Sequence, residues 1–226
     1  MKRKSYIAII PARKNSKRLK NKNLLKIKNK SLFNYTLEAA KKSKKIDNII
    51  VSTNINKLIK TNSKKIFYIK RPNYLCKDHC STESAISHAL KVYEYSEKYK
   101  FDNIILLQPT SPFRNHIDID NAIQTFEKFK YDSLISVYQE KISLWKKNGK
   151  IASPINYKIN RRIRGQFMKE TIVENGAIYI FKTKGFKKFK NRLFGNIGLY
   201  KMSKRNSVEI DTMEDIKTAR LLINFK

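Results

Sequence analysis

A chain of 226 residues with 41% apolar content is sized for one domain, expected to run over 1–226, with a continuous core. Its formal charge of +32 raises nucleic acid as a partner. The excess is mostly lysine, however, spread over helix surfaces and turns alike (Lys182, Lys184, Lys187, Lys188 and Lys190 among them), so no specific nucleic-acid role is expected. The abundance of Lys, Asn and Ile matches A- and T-rich codons. The apolar stretch before Pro11 is too short for a signal peptide or a membrane span, so a cytoplasmic protein without membrane attachment is expected.

Ile7-Ala8-Ile9-Ile10 reads as a strand buried on both faces and stopped by Pro11. The loop after it carries Arg13, Ser16, Lys17, Arg18, Lys22 and Asn23. In open α/β sheets ligands bind at the carboxyl ends of strands, and mixed guanidinium and ammonium groups suit several phosphate oxygens. The phosphate-loop glycine pattern is absent, which leaves a solvated basic loop as the other reading. Residues 32–44 place Phe33, Leu37 and Ala40 on one helical face, and 48–52, 66–70 and 103–108 read as three further strands. Between the last two, residues 81–98 form an amphipathic helix with Ala85, Ile86, Ala89, Leu90 and Tyr93 inward and Ser81 or Thr82 as its cap. Residues 117–130 repeat that pattern, and 133–138 read as a fifth strand. This alternation implies an α/β fold with a mainly parallel sheet covered by helices on both faces.

The alternation breaks over about 141–168, where Trp145 to Ile151 reads as a hairpin with an Asn148-Gly149 turn in a protruding arm. Residues 174–181 return to the sheet, and 213–224 form a closing helix capped by Thr212, with Asp215 at its third position. Cys76-Lys77-Asp78-His79-Cys80 misses the usual zinc spacing and lacks a second pair, so two plain thiols are expected. His79, His88 and His116 have no evident nucleophile partner. Gln108 ends the fourth strand, where a side chain can meet a ligand, and Pro109-Thr110-Ser111-Pro112 then fixes a tight loop. In an extended segment Glu209 and Asp211 project to one side and offer a hard-cation site suited to magnesium. The other reading makes Glu209 solvent-facing and Asp211 the residue before a helix cap.

Four motifs, in order and at similar spacing, cover nearly the whole chain. They are Pro11-Ala12-Arg13 with Ser16-Lys17 and Lys22-Asn23, Leu106-Leu107-Gln108-Pro109-Thr110-Ser111-Pro112-Phe113-Arg114, Glu174-Asn175-Gly176-Ala177-Ile178-Tyr179-Ile180, and Glu209-Ile210-Asp211-Thr212. Together they resemble the acylneuraminate cytidylyltransferases, or CMP-sialic acid synthetases, with their legionaminic and pseudaminic acid relatives. Lys20, Asn15 and Glu209 depart from that pattern, where Pro, Gly and Asp are common. The resemblance implies a Rossmann-like domain that transfers CMP from CTP to the anomeric hydroxyl of a nonulosonic acid, with magnesium, in a homodimer whose arm reaches toward the partner's active site. It implies catalytic roles for Arg13, Lys22 and Asp211, and nucleotide contacts from Ser16, Lys17, Asn23, Arg71 and Thr82 as well. Sugar contacts are implied for Gln108, Arg164, Gln166 and Asn175, and metal ligation for Glu209 and Asp211. Kdo cytidylyltransferases are a second reading, although their first motif usually lacks the S-K and K-N pairs. The rival from another class is a basic nucleic-acid-binding protein. Shared motifs do not fix which nonulosonic acid is used.

Overall fold

The computed structural model describes residues 3–14, 16, 18–161 and 164–224. In chain order the elements are β1 (Tyr6–Ala12), β2 (Lys26–Ile27), β3 (Lys30–Ser31), α1 (Leu32–Lys42), β4 (Asn48–Thr53), β5 (Ile66–Lys70), α2 (Thr82–Glu97), β6 (Asn103–Leu106) and α3 (His116–Lys128). They continue with β7 (Ser133–Glu140), β8 (Trp145–Asn148), β9 (Ile151–Pro154), β10 (Thr171–Lys182), α4 (Thr183–Phe189), β11 (Ile197–Lys201) and α5 (Met213–Leu222). Seven strands form one sheet in the order β11-β7-β10-β6-β1-β4-β5. Every neighbouring pair is parallel except those of β10, which runs antiparallel to both β6 and β7.

The period-two alternation of β1 explains the two layers of helix. Ala8 and Ile10 face the layer of α1 and α3, where Phe33, Ala40, Ile119 and Ile123 pack. Ile7 and Ile9 face the opposite layer, with Ile86, Ala89 and Leu90 of α2 and Phe186 of α4. A third cluster joins Leu19 of the basic loop to Ile27, Ile210 and Ile216, so α5 pins that loop and the 209–211 segment to each other. Ser81, rather than Thr82, caps α2 by accepting from the Ser84 amide at 3.1 Å, and Thr212 with Asp215 forms a capping box on α5.

Pro11 does not stop β1. The strand continues to Ala12, with Pro11 opposite Ser52 of β4. The Ile9 carbonyl accepts from Leu107, so Pro11, two residues on, turns its missing N–H toward the same side, past the last β6 pair. The expected hairpin is present as a two-stranded sheet of its own, but its central turn residues are Gly149 (φ +58°) and Lys150, one position later than Asn148-Gly149. The β2–β3 hairpin, α4, β11 and the reversed direction of β10 were not anticipated. β10 also bulges: Glu174 lies opposite Val137 and Tyr179 opposite Ile135, and the extra residues include Gly176 at φ +65°. No described helix is long and apolar enough to cross a membrane.

Candidate active site

From β1 the chain passes to β4 and β5 on one side and then to β6 on the other, so the carboxyl ends of β1 and β6 flank a topological switch point. A cleft of about 360 Å³ opens there, lined by Pro11, Arg13, Ser16, Arg18, Lys22 and Asn23, by Arg71 and the 75–85 segment, and by Gln108, Pro109, Thr110 and Asp211.

The basic loop is organised by internal contacts. Asn23, 6% exposed, donates from Nδ2 to the Arg13 carbonyl at 2.8 Å, which commits that amide to holding the loop. The Arg13 guanidinium reaches across to the carbonyl oxygens of Cys76 and Lys77 and to the Asp78 carboxylate, 3.0 Å away. Lys22 enters a short 3-10 turn after Asn21, which takes a left-handed conformation (φ 54°), and its Nζ lies 2.8 Å from Asp211 Oδ1. Arg18 Nη1 lies 2.9 Å from the other oxygen, Asp211 Oδ2. The expectation for Lys17 lies outside the described residues.

On the facing wall Arg71 is buried and donates from Nε and Nη2 to the side-chain and main-chain oxygens of Ser52, at 3.1 and 2.8 Å. Burial lowers its pKa, and the nearby Arg13 charge adds to the effect. Thr82 is the first residue of α2, whose N-terminus adds unpaired amides and a positive dipole end to the cleft.

At the third side, Ile210 is fully buried and its amide bonds the Thr110 carbonyl at 2.8 Å, so the alternation turns Glu209 and Asp211 away from that core. Glu209 Oε1 lies beside Thr110 Oγ1 and Gly176. Desolvation, and then the Asp211 charge, raise the Glu209 pKa, with Lys22 opposing. The described residues contain no cluster of three or more His, Cys, Asp or Glu able to hold a metal. A carboxylate pair beside a cation cluster still fits magnesium, which takes one or two carboxylates and completes its shell with phosphate oxygens and water.

The expected sugar-contacting residues separate. Gln108 lies in the cleft and donates from Nε2 to the Gly176 carbonyl at 3.2 Å. Asn175 is 2% exposed and committed to the fold: Oδ1 accepts from Ser136 Oγ and the Ala177 amide, and Nδ2 donates to Ser207 Oγ. It builds the bulge and borders a smaller concavity with Tyr138, Glu174, Lys204 and Glu209. Arg164 and Gln166 are exposed and do not line the cleft of their own chain. The sequence reading assigned no ligand role to Asp78, Ser81 or Arg114. Arg114 closes the second of the four motifs, where a guanidinium directly follows Pro112-Phe113.

A family model described as cytidylyltransferase matches residues 7–223. The chain belongs to the cytidylyltransferase family. It is 33% identical over 227 residues to the N-acylneuraminate cytidylyltransferase of Escherichia coli, an alignment covering 96% of this chain and 52% of that protein. The chain thus spans about half the length of that cytidylyltransferase. The post-translational flagellin modification protein B of Campylobacter coli is 29% identical, with 97% of this chain and 95% of the relative covered. A pseudaminic acid cytidylyltransferase of Campylobacter jejuni is 24% identical, with coverage of 96% and 95%. Among solved structures, a CMP:2-keto-3-deoxy-manno-octonic acid synthetase complexed with CTP shares the fold with a TM-score of 0.69 at 17% identity, covering 97% of this chain and 98% of that one.

Proposed function

We propose that this cytidylyltransferase transfers CMP from CTP to the anomeric hydroxyl of a nonulosonic acid, a sialic acid or a close relative, and releases pyrophosphate. The carrying observation is the convergence of Lys22 and Arg18 on Asp211 at the switch-point cleft that Arg13 and Arg71 also line. Such a cation set matches a triphosphate. The relatives named for acylneuraminate and pseudaminic acid support the acceptor class.

The anomeric hydroxyl oxygen bonds to the α-phosphorus and gives its proton to solvent, while the bond from that phosphorus to the α–β bridging oxygen breaks and pyrophosphate leaves. Arg13 and Lys22 exchange their internal partners for phosphate oxygens and hold the charge that builds on the departing pyrophosphate. Arg71, Ser16, Lys17 and the amides near Thr82 orient the nucleotide, and Asn23 keeps the loop in shape. Gln108 faces the acceptor. Magnesium, held by Asp211 and Glu209, supplies charge neutralisation on the phosphates when bound.

The hairpin leaves Trp145 and Ile151 exposed, and Phe167 beyond it is also exposed. An isolated two-stranded hairpin is marginal in water. A homodimer in which this arm packs on a second copy accounts for both, with Arg164 and Gln166 carried toward the partner's cleft. A cytoplasmic location completes the reading.

The test is pyrophosphate release with each nucleoside triphosphate crossed against a panel of nonulosonic acids and Kdo. Turnover is expected only when CTP, one of the nonulosonic acids and magnesium are all present. Absence of turnover across the panel would refute the assignment, and turnover with Kdo alone would move it to the sister class.

A further inference from the structure

Arg114 takes no part in the chemistry above, yet it is the largest fully buried side chain among the described residues, at 1% exposure. Its Nη1 donates to the Ala177 carbonyl at 3.0 Å and to the Gln108 carbonyl at 3.4 Å, while Nε and Nη2 have no partner among the described residues. Burial lowers its pKa to about 10, so the group remains a cation at neutral pH. Asp118 is the nearby opposite charge, but its Oδ2 accepts from the Asn115 amide and from Asn206 Nδ2. For stability alone an apolar side chain of similar bulk is the better occupant, because a buried charge without a direct ion pair is costly.

A guanidinium does one thing that an apolar group does not: it bonds carbonyls on two elements at once. Here the two are Gln108, just past β6, and Ala177, inside the β10 bulge. The Gln108 side chain closes the ring by donating to the Gly176 carbonyl. Glu209 Oε1 lies against Gly176, so the same ring sets the spacing between Gln108 and Glu209. Among the described residues, the hydrogen bonds of Arg13, Arg71 and the start of α2 run to Cys76, Lys77, Ser52 and Ser81 rather than to Arg114.

Resting on the transfer proposed above, we infer that Arg114 is a positioning residue for the acceptor sugar. It locks Gln108 to the bulge and leaves nucleotide binding to the opposite wall. Arg114→Lys keeps a charge, but its ammonium ends one bond short of the position of Nη1, the atom that bonds both carbonyls, and so cannot hold the two together. The Lys variant should raise the acceptor KM about tenfold or more while the CTP KM stays within about twofold. A lower melting temperature without that split overturns the inference, as does an equal rise in both constants.

Hydrogen exchange followed by mass spectrometry gives a readout that does not depend on turnover. Amides of 108–111 and 175–178 should exchange faster in Arg114→Lys than in the wild type, with 71–82 unchanged. Wild-type protein inactive on every acceptor removes the proposed reaction but not the lock. Exchange that is unchanged, or raised equally in all three segments, removes the lock. Arg114→Met, which keeps bulk without charge, should show the same local pattern, and if it does not fold the Lys variant decides.

Discussion

Gly176→Ala probes the bulge from the other side. Gly176 sits at φ +65°, in the left-handed region that a Cβ disfavours by about 1–2 kcal/mol. An added Cβ would also stand 3.3 Å from Glu209 Oε1 and 3.4 Å from Gln108 Nε2, so both side chains must give by a few tenths of an ångström. For a domain of this size 1–2 kcal/mol corresponds to a fall of roughly 2–8 °C in melting temperature. Displacement of Gln108 on the acceptor side together with the proposed magnesium ligand Glu209 should cost about tenfold in acceptor-dependent turnover, since misplacement on the ångström scale reaches about 10²-fold. CTP affinity measured without magnesium should hold, because the contacts are with Gln108 and the proposed magnesium ligand Glu209 rather than with Arg13 or Arg71. Differential scanning fluorimetry, CTP calorimetry and steady-state kinetics on one preparation measure all three. An unchanged melting temperature together with an unchanged acceptor KM would refute the claim that this backbone conformation positions the pair.

Lys22→Met and Arg13→Met should each lower turnover by about 10²-fold with CTP saturating, as expected when a donor to developing charge is removed, and pyrophosphate release checks this. Magnesium titrations should rank the carboxylates: Asp211→Asn nearly inactive at any concentration, Glu209→Gln shifted to higher magnesium, and Glu209→Asp mildly affected. His88 is held below its usual pKa by burial and then by the Arg71 charge. The unfolded chain therefore takes up a proton below about pH 6.5 that the folded chain resists, so stability should fall as pH drops through that point toward the folded pKa. His88→Gln should flatten the slope in denaturant melts between pH 7.5 and 5.5, and equal slopes would count against it. Cys80 lines the cleft, so CTP with magnesium should slow its alkylation by N-ethylmaleimide, as read by peptide mass spectrometry.

What could be read from the sequence was what local pattern determines. Continuous apolar runs such as 7–10 and 103–107 announce strands buried on both faces, and caps such as Thr212 with Asp215 mark helix starts. The direction of β10 is not local: a run buried on both faces reads the same whether its neighbours are parallel or antiparallel. β11 exposes Ile197 and Leu199 and turns Gly198 inward, where a Cβ would meet the Tyr131 ring at 2.1 Å. Its apolar residues therefore mislead as to which face is buried. The motifs located Arg13, Lys22, Gln108 and Asp211 in one cleft because they lie at strand ends or in one loop. Asn175 was misleading because its partners, Ser136 and Ser207, lie far away in sequence, and a polar side chain reads as available until they are seen.

Asp211 already satisfies Lys22 and Arg18 within the folded chain. Any anion that engages those two cations competes with a carboxylate that is never diluted away, which sets a ceiling on affinity and helps expel a spent anion. A divalent cation that takes Asp211 frees both side chains at once. Reciprocity then requires the polyphosphate and the divalent cation each to tighten the binding of the other by the same factor. With the ligands of the proposed reaction, the loop would thereby couple the two through the ion pairs they break, before any direct contact between them is counted.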